Sequence, residues 1–201
     1  VGSEMCIRDR RWEMRAVKRL FDFVFSSVIL LLSPLWLLPI AICVKLSSPG
    51  PVLFKQKRTG FMGREFNCLK FRTMRVNNES DKLQATKGDP RITRIGEFLR
   101  KTSLDELPQL FNILKGDISI VGPRPIVEKE TQIYGDDVEK LLSVKPGLTG
   151  YWQAYARNNA TYESGERQKM EMYYVEHNSL WLDIKILFKT VISVIKKEGA
   201  Q

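Results

Sequence analysis

The longest apolar stretch of the chain covers residues 23–44, in which no residue carries a charge. A straight helix of this length would be about 33 Å long, which is enough to cross the hydrocarbon core of a bilayer. Ser33 and Pro34 interrupt the stretch in its middle. Proline inside a helix removes a hydrogen bond and bends or breaks the helix. The pattern therefore predicts a membrane segment over residues 14–46, built as a helix, a break and a second helix.

Basic residues stand on both sides of this apolar stretch. They are Arg15, Lys18 and Arg19 before it and Lys45, Lys55, Lys57 and Arg58 after it. A crossing segment should show an asymmetry, because the cytoplasmic flank carries the excess of lysine and arginine. The balanced flanks favour a re-entrant hairpin with both ends on the cytoplasmic face. A kinked full span is the alternative, because spanning helices tolerate proline.

The remainder of the chain predicts an α+β domain that is mostly helical. Residues 52–57 and 66–74 predict a short β-hairpin around two glycines, and residues 118–121 predict a short strand. Apolar spacing predicts helices at residues 92–100, from about Asp105 to Lys115, at residues 131–142 and at residues 180–197. Residues 145–150 are predicted to form a loop.

The last predicted helix places Trp181, Ile184, Phe188, Val191 and Ile195 on one face, with lysines elsewhere. A basic amphipathic helix with a tryptophan suits a membrane interface. An ordinary helix that faces a protein core has the same pattern. The membrane segment at the other end of the chain favours the interfacial interpretation.

The chain divides into three parts. Residues 1–13 show neither helical nor strand periodicity and precede Met14, so we expect them to be a non-native extension. Residues 14–46 form the predicted membrane segment. Residues 47–201 are expected to form a compact cytosolic catalytic domain that includes the C-terminal amphipathic helix.

Composition narrows the chemistry. The chain has 32 lysines and arginines against 23 acidic residues, a net charge of +9, which suits nucleic acid, anionic lipid or phosphorylated substrates. Cys6, Cys43 and Cys68 lack the spacing of a disulfide framework or a zinc site. His177 is the only histidine, so any metal site should use oxygen ligands, which favours magnesium or manganese.

Adjacent carboxylates, Asp105 and Glu106, stand within residues 103–110 among many basic residues. Two carboxylates this close need compensation from a metal ion or from cations. A nucleophilic carboxylate beside a metal-binding one is suited to phosphoryl transfer through a covalent intermediate. Ser103 and Glu106 also fit a capping box, which involves no chemistry. On the residues alone, both interpretations stay open.

Several cations before and after this pair are candidate phosphate ligands. They are Lys70, Arg72, Arg91, Arg94, Arg100 and Arg124. Arginine can bind phosphate oxygens with two parallel hydrogen bonds. A single basic residue is more often an ordinary surface charge without a binding role. Arg124 stands out because it lies between Pro123 and Pro125, which restrict its backbone.

Four motifs together resemble one family, the bacterial sugar transferases. They are Lys70-Phe71-Arg72-Thr73-Met74 and residues 103–110, 122–125 and 146–150. The chain is similar to their small monotopic form, the polyprenyl-phosphate phosphoglycosyl transferases, over residues 15–200. The resemblance implies an enzyme on the cytoplasmic face of the bacterial inner membrane. Such an enzyme moves a sugar-1-phosphate from a UDP-sugar to undecaprenyl phosphate, with Mg²⁺ and release of UMP.

The resemblance also implies residue roles. Asp105 would be the nucleophile, Glu106 the metal ligand, and Ser33 and Pro34 the break of the re-entrant helix. Arg100 and Arg124 would contact substrate phosphates. Three positions depart from the family, in a region associated with sugar or uridine recognition and interface docking: Ala156 stands where glycine is usual, Glu171 where aspartate is common and Asn178 where tryptophan is frequent.

The expected partners are the UDP-sugar, undecaprenyl phosphate and membrane lipid, and a homo-oligomer is compatible with the resemblance. The alternative is a non-catalytic, membrane-anchored basic module that binds anionic lipid or nucleic acid. Nucleic acid is not expected, because the chain lacks the interleaved aromatic and basic pattern of such surfaces.

Overall fold

The computed structural model describes residues 2–76, 89–156 and 162–195, and this part of the chain is mostly helical. The helices are α1 (Gly2–Leu32), α2 (Pro34–Ser47), α3 (Arg94–Thr102), α4 (Gln109–Lys115), α5 (Glu128–Tyr134), α6 (Val138–Leu142), α7 (Tyr151–Tyr155), α8 (Glu166–His177) and α9 (Leu180–Ile195). The strands are β1 (Leu53–Thr59), β2 (Glu65–Phe71), β3 (Ser119–Val121) and β4 (Gly147–Thr149). The mostly helical α+β character is confirmed.

Two small sheets accompany the helices. Strands β1 and β2 pair antiparallel, which confirms the predicted hairpin. Strands β3 and β4 pair parallel, so the prediction of a loop over residues 145–150 was wrong. A Cβ added at Gly147 would lie 2.1 Å from the Gly122 nitrogen. This pairing depends on a close approach of two backbones at glycine, which hydrophobic periodicity does not reveal.

The helix predicted to start near Asp105 begins later. Residues Leu104–Glu106 form a separate 3₁₀ turn, and α4 starts at Gln109 after Pro108. Proline fits this position because the first residues of a helix have no intrahelical partner for their N–H groups. The acidic pair therefore lies before the helix and not in its first turn.

Other helix boundaries agree more closely. The helix predicted at residues 92–100 is α3, which begins after Thr93, whose hydroxyl accepts a hydrogen bond from the Gly96 N–H at 2.9 Å. Such a cap satisfies one of the N–H groups that the first turn leaves unpaired. The single helix predicted at residues 131–142 is divided into α5 and α6 by a 3₁₀ turn at Gly135–Asp137.

The break in the apolar segment lies at Ser33, as predicted. Helices α1 and α2 meet there at a bend of 67°. The Ser33 hydroxyl donates to the Leu30 carbonyl at 2.7 Å, which satisfies a backbone group next to the break. Within the described residues no single helix is long and apolar enough to cross a membrane, whereas the bent pair together meets that test by length and composition.

Helix α1 extends back to Gly2, so residues 2–13 are helical although their sequence predicted no regular structure. Helix α1 is fixed to the rest of the domain by charged side chains near residue 20. The Lys18 ammonium donates to the Val121 carbonyl at 2.8 Å and to the Asp183 carboxylate at 2.6 Å. The Asp22 carboxylate accepts the Ile120 N–H at 3.0 Å.

The main core joins α4, β3, α7, α8 and α9. Its buried members are Leu110, Ile113, Ile118, Ile120, Val121, Ala154, Tyr174 and Ile186. A second cluster joins α2, β2 and α3 through Val44, Phe71 and Leu99, and Leu104 packs against it. The acidic pair therefore follows directly after a residue that packs on the cluster shared by α2, β2 and α3.

Helix α9 turns its apolar stripe away from the core. Trp181 is 65% exposed and Phe188 is 70% exposed, and Ile184 and Val191 are also exposed. The face that packs inward carries Asp183, Ile186 and Ser193 instead. The interpretation of this stripe as a core-facing surface was therefore wrong. The helix was predicted to run to residue 197, and residues 196–201 lie outside the described part.

Candidate active site

The backbone at Ser103 takes an unusual conformation that shapes the acidic pair. Ser103 has φ 58° and ψ 16°, the left-handed region, which costs a non-glycine residue about 1 kcal/mol. Its side chain does not cap the next turn, and its N–H donates to the Arg100 carbonyl at 3.2 Å. The capping box is therefore absent from this segment, and that interpretation of the motif was wrong.

Lys70 and Glu106 form an ion pair beside the nucleophile candidate. The Lys70 Nζ lies 2.6 Å from the Glu106 Oε1, and both side chains are mostly buried. Lys70 comes from β2, which packs on the 3₁₀ turn that carries the acidic pair. The hairpin thus supplies the cation that two neighbouring carboxylates require.

Asp105 is the buried member of the acidic pair, with 9% of its surface exposed. Burial raises the pKa of Asp105 to about 6, and the charge of Glu106 adds to the rise, whereas Lys70 and Arg100 lower the pKa. The pair precedes α4, and burial is the largest effect on this pKa. Asp105 remains mostly ionised at neutral pH but is poorly solvated.

Arg100 approaches the acidic pair from α3. Its Nε donates to the Thr73 hydroxyl at 3.1 Å, and its charge lowers the pKa of Asp105. Helix α3 can lie this close because Gly96 has no side chain. A Cβ there would be 1.9 Å from the Thr73 carbonyl oxygen. This close approach brings the arginine predicted ahead of the pair within electrostatic reach of the Asp105 carboxylate.

Arg72 lies elsewhere, although the sequence made it a phosphate-binding candidate. Its side chain is buried, and its guanidinium donates to the carbonyls of Val44 (3.2 Å), Ser48 (2.6 Å) and Pro49 (2.9 Å). Val44 lies in the last turn of α2, and Ser48 and Pro49 follow the helix. The last carbonyls of a helix lack intrahelical partners. We therefore assign Arg72 to fastening the end of α2 and leave it out of the substrate site.

The backbone of the turn that carries Arg124 is held by several distant parts of the chain. The hydrogen bonds are Gly122 N–H to Thr149 O (2.9 Å), Gly147 N–H to Pro123 O (2.9 Å), Arg124 N–H to the Glu171 carboxylate (3.2 and 3.3 Å), Arg58 to Pro125 O (2.8 Å) and Thr59 N–H to Ile126 O (2.8 Å). The Arg124 side chain is partly exposed. It is therefore a charged group on a backbone with little freedom to move.

The charges of Arg124 and of Glu106 both act on the thiol of Cys68. This buried thiol of β2 has its pKa raised mainly by burial, while the charges of Lys70, Arg58, Glu106 and Arg124 also act on it. Arg124 of the turn and Glu106 of the acidic pair are therefore both within electrostatic reach of one side chain.

Sequence reasoning missed two residues of this region. Arg58 was counted only among the flanking charges of the membrane segment, and it holds the Pro125 carbonyl. Glu171 was noted only as a departure from the family, and it binds the Arg124 N–H. No local pattern marks either residue, because their partners lie far away in the chain.

The donor set fits magnesium. Among the described residues no group of three or more histidine, cysteine or acidic side chains is placed to hold a metal ion. Asp105 and Glu106 provide two adjacent carboxylates. Mg²⁺ is commonly bound by one or two carboxylates, with water and substrate phosphates completing its shell.

Comparison with known proteins identifies the family. Residues 13–197 match the family described as bacterial sugar transferase. The chain is 45% identical over 203 residues to a UDP-galactose-lipid carrier transferase of Erwinia amylovora, covering 92% of this chain and 42% of that protein. It is 45% identical over 204 residues to an undecaprenyl-phosphate galactose phosphotransferase of Salmonella typhimurium, again 92% and 42% of the two chains.

A shorter relative matches over most of its length. The exopolysaccharide production protein ExoY of Rhizobium meliloti is 44% identical over 200 residues, which cover 91% of this chain and 87% of that protein. The chain spans about two fifths of the two longer relatives. The chain belongs to the bacterial sugar transferase family.

The buried Asp105 carboxylate predicts a gain in stability when its charge is removed. A pKa raised from 3.8 to about 6 means that the folded protein binds this proton more tightly than the unfolded chain, so ionisation costs about 3 kcal/mol above pH 6. Asp105→Asn should therefore raise the unfolding temperature at pH 8. The gain should shrink as the pH falls from 6 towards 4, in thermal unfolding of the detergent-solubilised protein.

Glu97→Gln is the matched control, because Glu97 is exposed and paired with Lys101 at 2.7 Å. It should give no stabilisation at pH 8. A variant Asp105→Asn that is less stable than the wild type at pH 8 would contradict the burial argument.

Proposed function

We propose that the protein transfers a sugar-1-phosphate from a UDP-sugar to undecaprenyl phosphate in two displacement steps. An oxygen of the Asp105 carboxylate attacks the phosphorus bonded to the sugar, the bond from this phosphorus to the bridging oxygen breaks, and UMP leaves. A phosphate oxygen of undecaprenyl phosphate then attacks the same phosphorus and displaces Asp105. The product is a polyprenyl diphosphate sugar, and the carboxylate is regenerated.

The observation that carries this proposal is the buried Asp105 beside the Lys70–Glu106 ion pair. A carboxylate removed from water is a better nucleophile than a hydrated one, because less solvent must be displaced before it attacks. Lys70 offsets the negative charge that Glu106 places beside the Asp105 carboxylate. These two features together fit covalent catalysis better than they fit a structural cap.

Arg100 and Arg124 are suited to the charge that develops on the phosphates. Phosphoryl transfer depends mainly on positioning and on electrostatic stabilisation of the phosphate oxygens. Arg100 acts next to Asp105, and Arg124 stands on a fixed turn. In this proposal Arg100 stabilises the negative charge on the attacked phosphate, and Arg124 binds the donor diphosphate.

The reaction also requires that the negative charge of the donor diphosphate be neutralised, and Mg²⁺ is suited to this task. Glu106 would hold Mg²⁺, and the ion would neutralise charge on the diphosphate of the donor. Before the substrate binds, the positive charge of Lys70 would offset the negative charge of Glu106. The family relatives named above act on galactose donors or in exopolysaccharide production, so the proposed donor is a UDP-hexose.

The proposed location is the cytoplasmic face of the bacterial inner membrane. Large apolar side chains are exposed along α1, α2 and α9, among them Leu31, Leu35, Leu46, Trp181 and Phe188. A soluble surface rarely exposes apolar patches of this kind, whereas a lipid interface would cover them. The UDP-sugar donor is cytoplasmic, and Leu104 connects the acidic pair to the membrane segment. This arrangement suits a lipid acceptor that arrives from the bilayer.

The reaction predicts how the acidic pair responds to substitution. With UDP-galactose or UDP-glucose, undecaprenyl phosphate and Mg²⁺, Asp105→Asn should abolish UMP release, because the amide cannot form the covalent intermediate. Glu106→Gln should be severely impaired through loss of the metal ligand. The measurement is UMP release by purified protein in detergent, with Glu97→Gln as the control that keeps wild-type turnover.

Near wild-type release by Asp105→Asn would return the pair to a structural role. A wild-type protein that turns over no UDP-sugar, but binds anionic vesicles with an affinity that falls smoothly with salt, would favour the non-catalytic basic module.

The bend at Ser33 predicts that both ends of the membrane segment lie in the cytoplasm. Single cysteines at the exposed positions Ala16→Cys and Arg64→Cys, in a background without Cys6, Cys43 and Cys68, are the probes. Both should resist a membrane-impermeant thiol reagent in intact spheroplasts. Both should react once the membrane is opened. Reaction of only the residue-16 position in intact spheroplasts would establish a full span.

A further inference from the structure

Glu171 is a buried carboxylate that the reaction proposed above does not use. It lies on α8 with 2% of its surface exposed, and its two oxygens lie 3.2 and 3.3 Å from the Arg124 backbone nitrogen. Removing a carboxylate from water is costly unless hydrogen bonds or charges compensate it. Burial raises the pKa of Glu171 to about 7, while the charge of Arg167 and the Arg124 N–H lower it.

The compensating charge is an arginine one helical turn earlier. The Arg167 guanidinium is sandwiched between two aromatic rings, 4.1 Å from the Trp152 ring centre and 3.8 Å from that of Tyr162. Arg167 is 9% exposed, and its Nε and Nη2 have no hydrogen-bond partner. Its position is thus set by the rings, which attract a cation through their faces. It acts on Glu171 through charge and not through a hydrogen bond.

The charges of two arginines, Arg167 and Arg124, therefore act on one carboxylate. Arg124 and Arg167 interact unfavourably, since the charge of Arg124 lowers the pKa of Arg167, and the charge of Glu171 opposes this effect. Without the carboxylate, the Arg124 N–H would lose its partner and the two guanidinium groups would repel each other uncompensated. We expect both losses to displace the Arg124 side chain.

We infer that Glu171 is a positioning residue for Arg124: its buried carboxylate fixes the Arg124 N–H and balances the repulsion from Arg167. This inference rests on the proposed function, in which Arg124 binds the phosphates of the UDP-sugar. Glu171 does not touch the substrate and acts only through Arg124.

A double-mutant cycle on turnover tests the inference. Glu171→Gln keeps the size of the side chain and an oxygen that can accept the Arg124 N–H, but it removes the charge. It should lower kcat for UMP release by about 10- to 100-fold, because a hydrogen bond to a charged acceptor contributes more than one to a neutral acceptor. Arg124→Ala alone should lower kcat by about 100-fold or more. In the Arg124→Ala background, Glu171→Gln should change kcat by less than about twofold.

Glu171→Asp and Glu176→Gln complete the design. Glu171→Asp keeps the charge and should lose less activity than Glu171→Gln. Glu176→Gln alters an exposed carboxylate on the same helix, paired with Lys140, and should keep wild-type turnover. Thermal unfolding selects folded variants, and where Glu171→Gln does not fold, Glu171→Asp is compared in the same two backgrounds.

Two results would overturn the inference. The first is wild-type kcat in folded Glu171→Gln. The second is an equal loss with and without the Arg124 side chain, which would show a general structural role. A wild-type protein without any UMP release would instead defeat the proposed function, so the two failures are distinguishable.

Discussion

The burial of the Asp105 carboxylate is the constraint around which the site is organised. A buried carboxylate that must still ionise near neutral pH needs cations at short range. Lys70 of the hairpin and Arg100 of α3 provide them, and each is brought close by a specific backbone feature. Pairing of β1 with β2 presents Lys70, and the absence of a side chain at Gly96 lets α3 approach. The left-handed Ser103 then turns the chain so that the carboxylate points into this environment.

The bent helix pair α1–α2 and the turn that carries Arg124 share a support. Lys18 and Asp22 of α1 bind groups of β3, the strand that leads directly into the turn of Arg124. Arg72 fastens the end of α2 to the strand that also presents Lys70. The apolar helices are therefore joined to both halves of the site by charged, mostly buried contacts. A lipid acceptor held by the membrane segment would in this way be placed at a fixed distance from the site.

The sequence predicts those features whose cause is local. The proline at position 34, after Ser33, predicts the break between α1 and α2, and the spacing of apolar residues in α9 predicts its amphipathic surface. Features that depend on distant partners were not predictable. Strand β4 exists only because two glycines let backbones touch, and Arg72 could be separated from the phosphate candidates only by seeing the α2 carbonyls beside it. The raised pKa of Asp105 likewise follows from burial, which spacing along the chain does not report.

The covalent intermediate is the central claim, and intact-protein mass spectrometry tests it most directly. Purified protein is mixed with a UDP-hexose and Mg²⁺ without undecaprenyl phosphate, then quenched in acid within seconds. The account predicts an added mass of one sugar phosphate less one water, located by fragmentation at Asp105 and lost when the lipid acceptor is supplied. A protein that turns over the donor with acceptor present, yet never carries this mass on Asp105, would contradict the account and favour direct transfer between the two substrates.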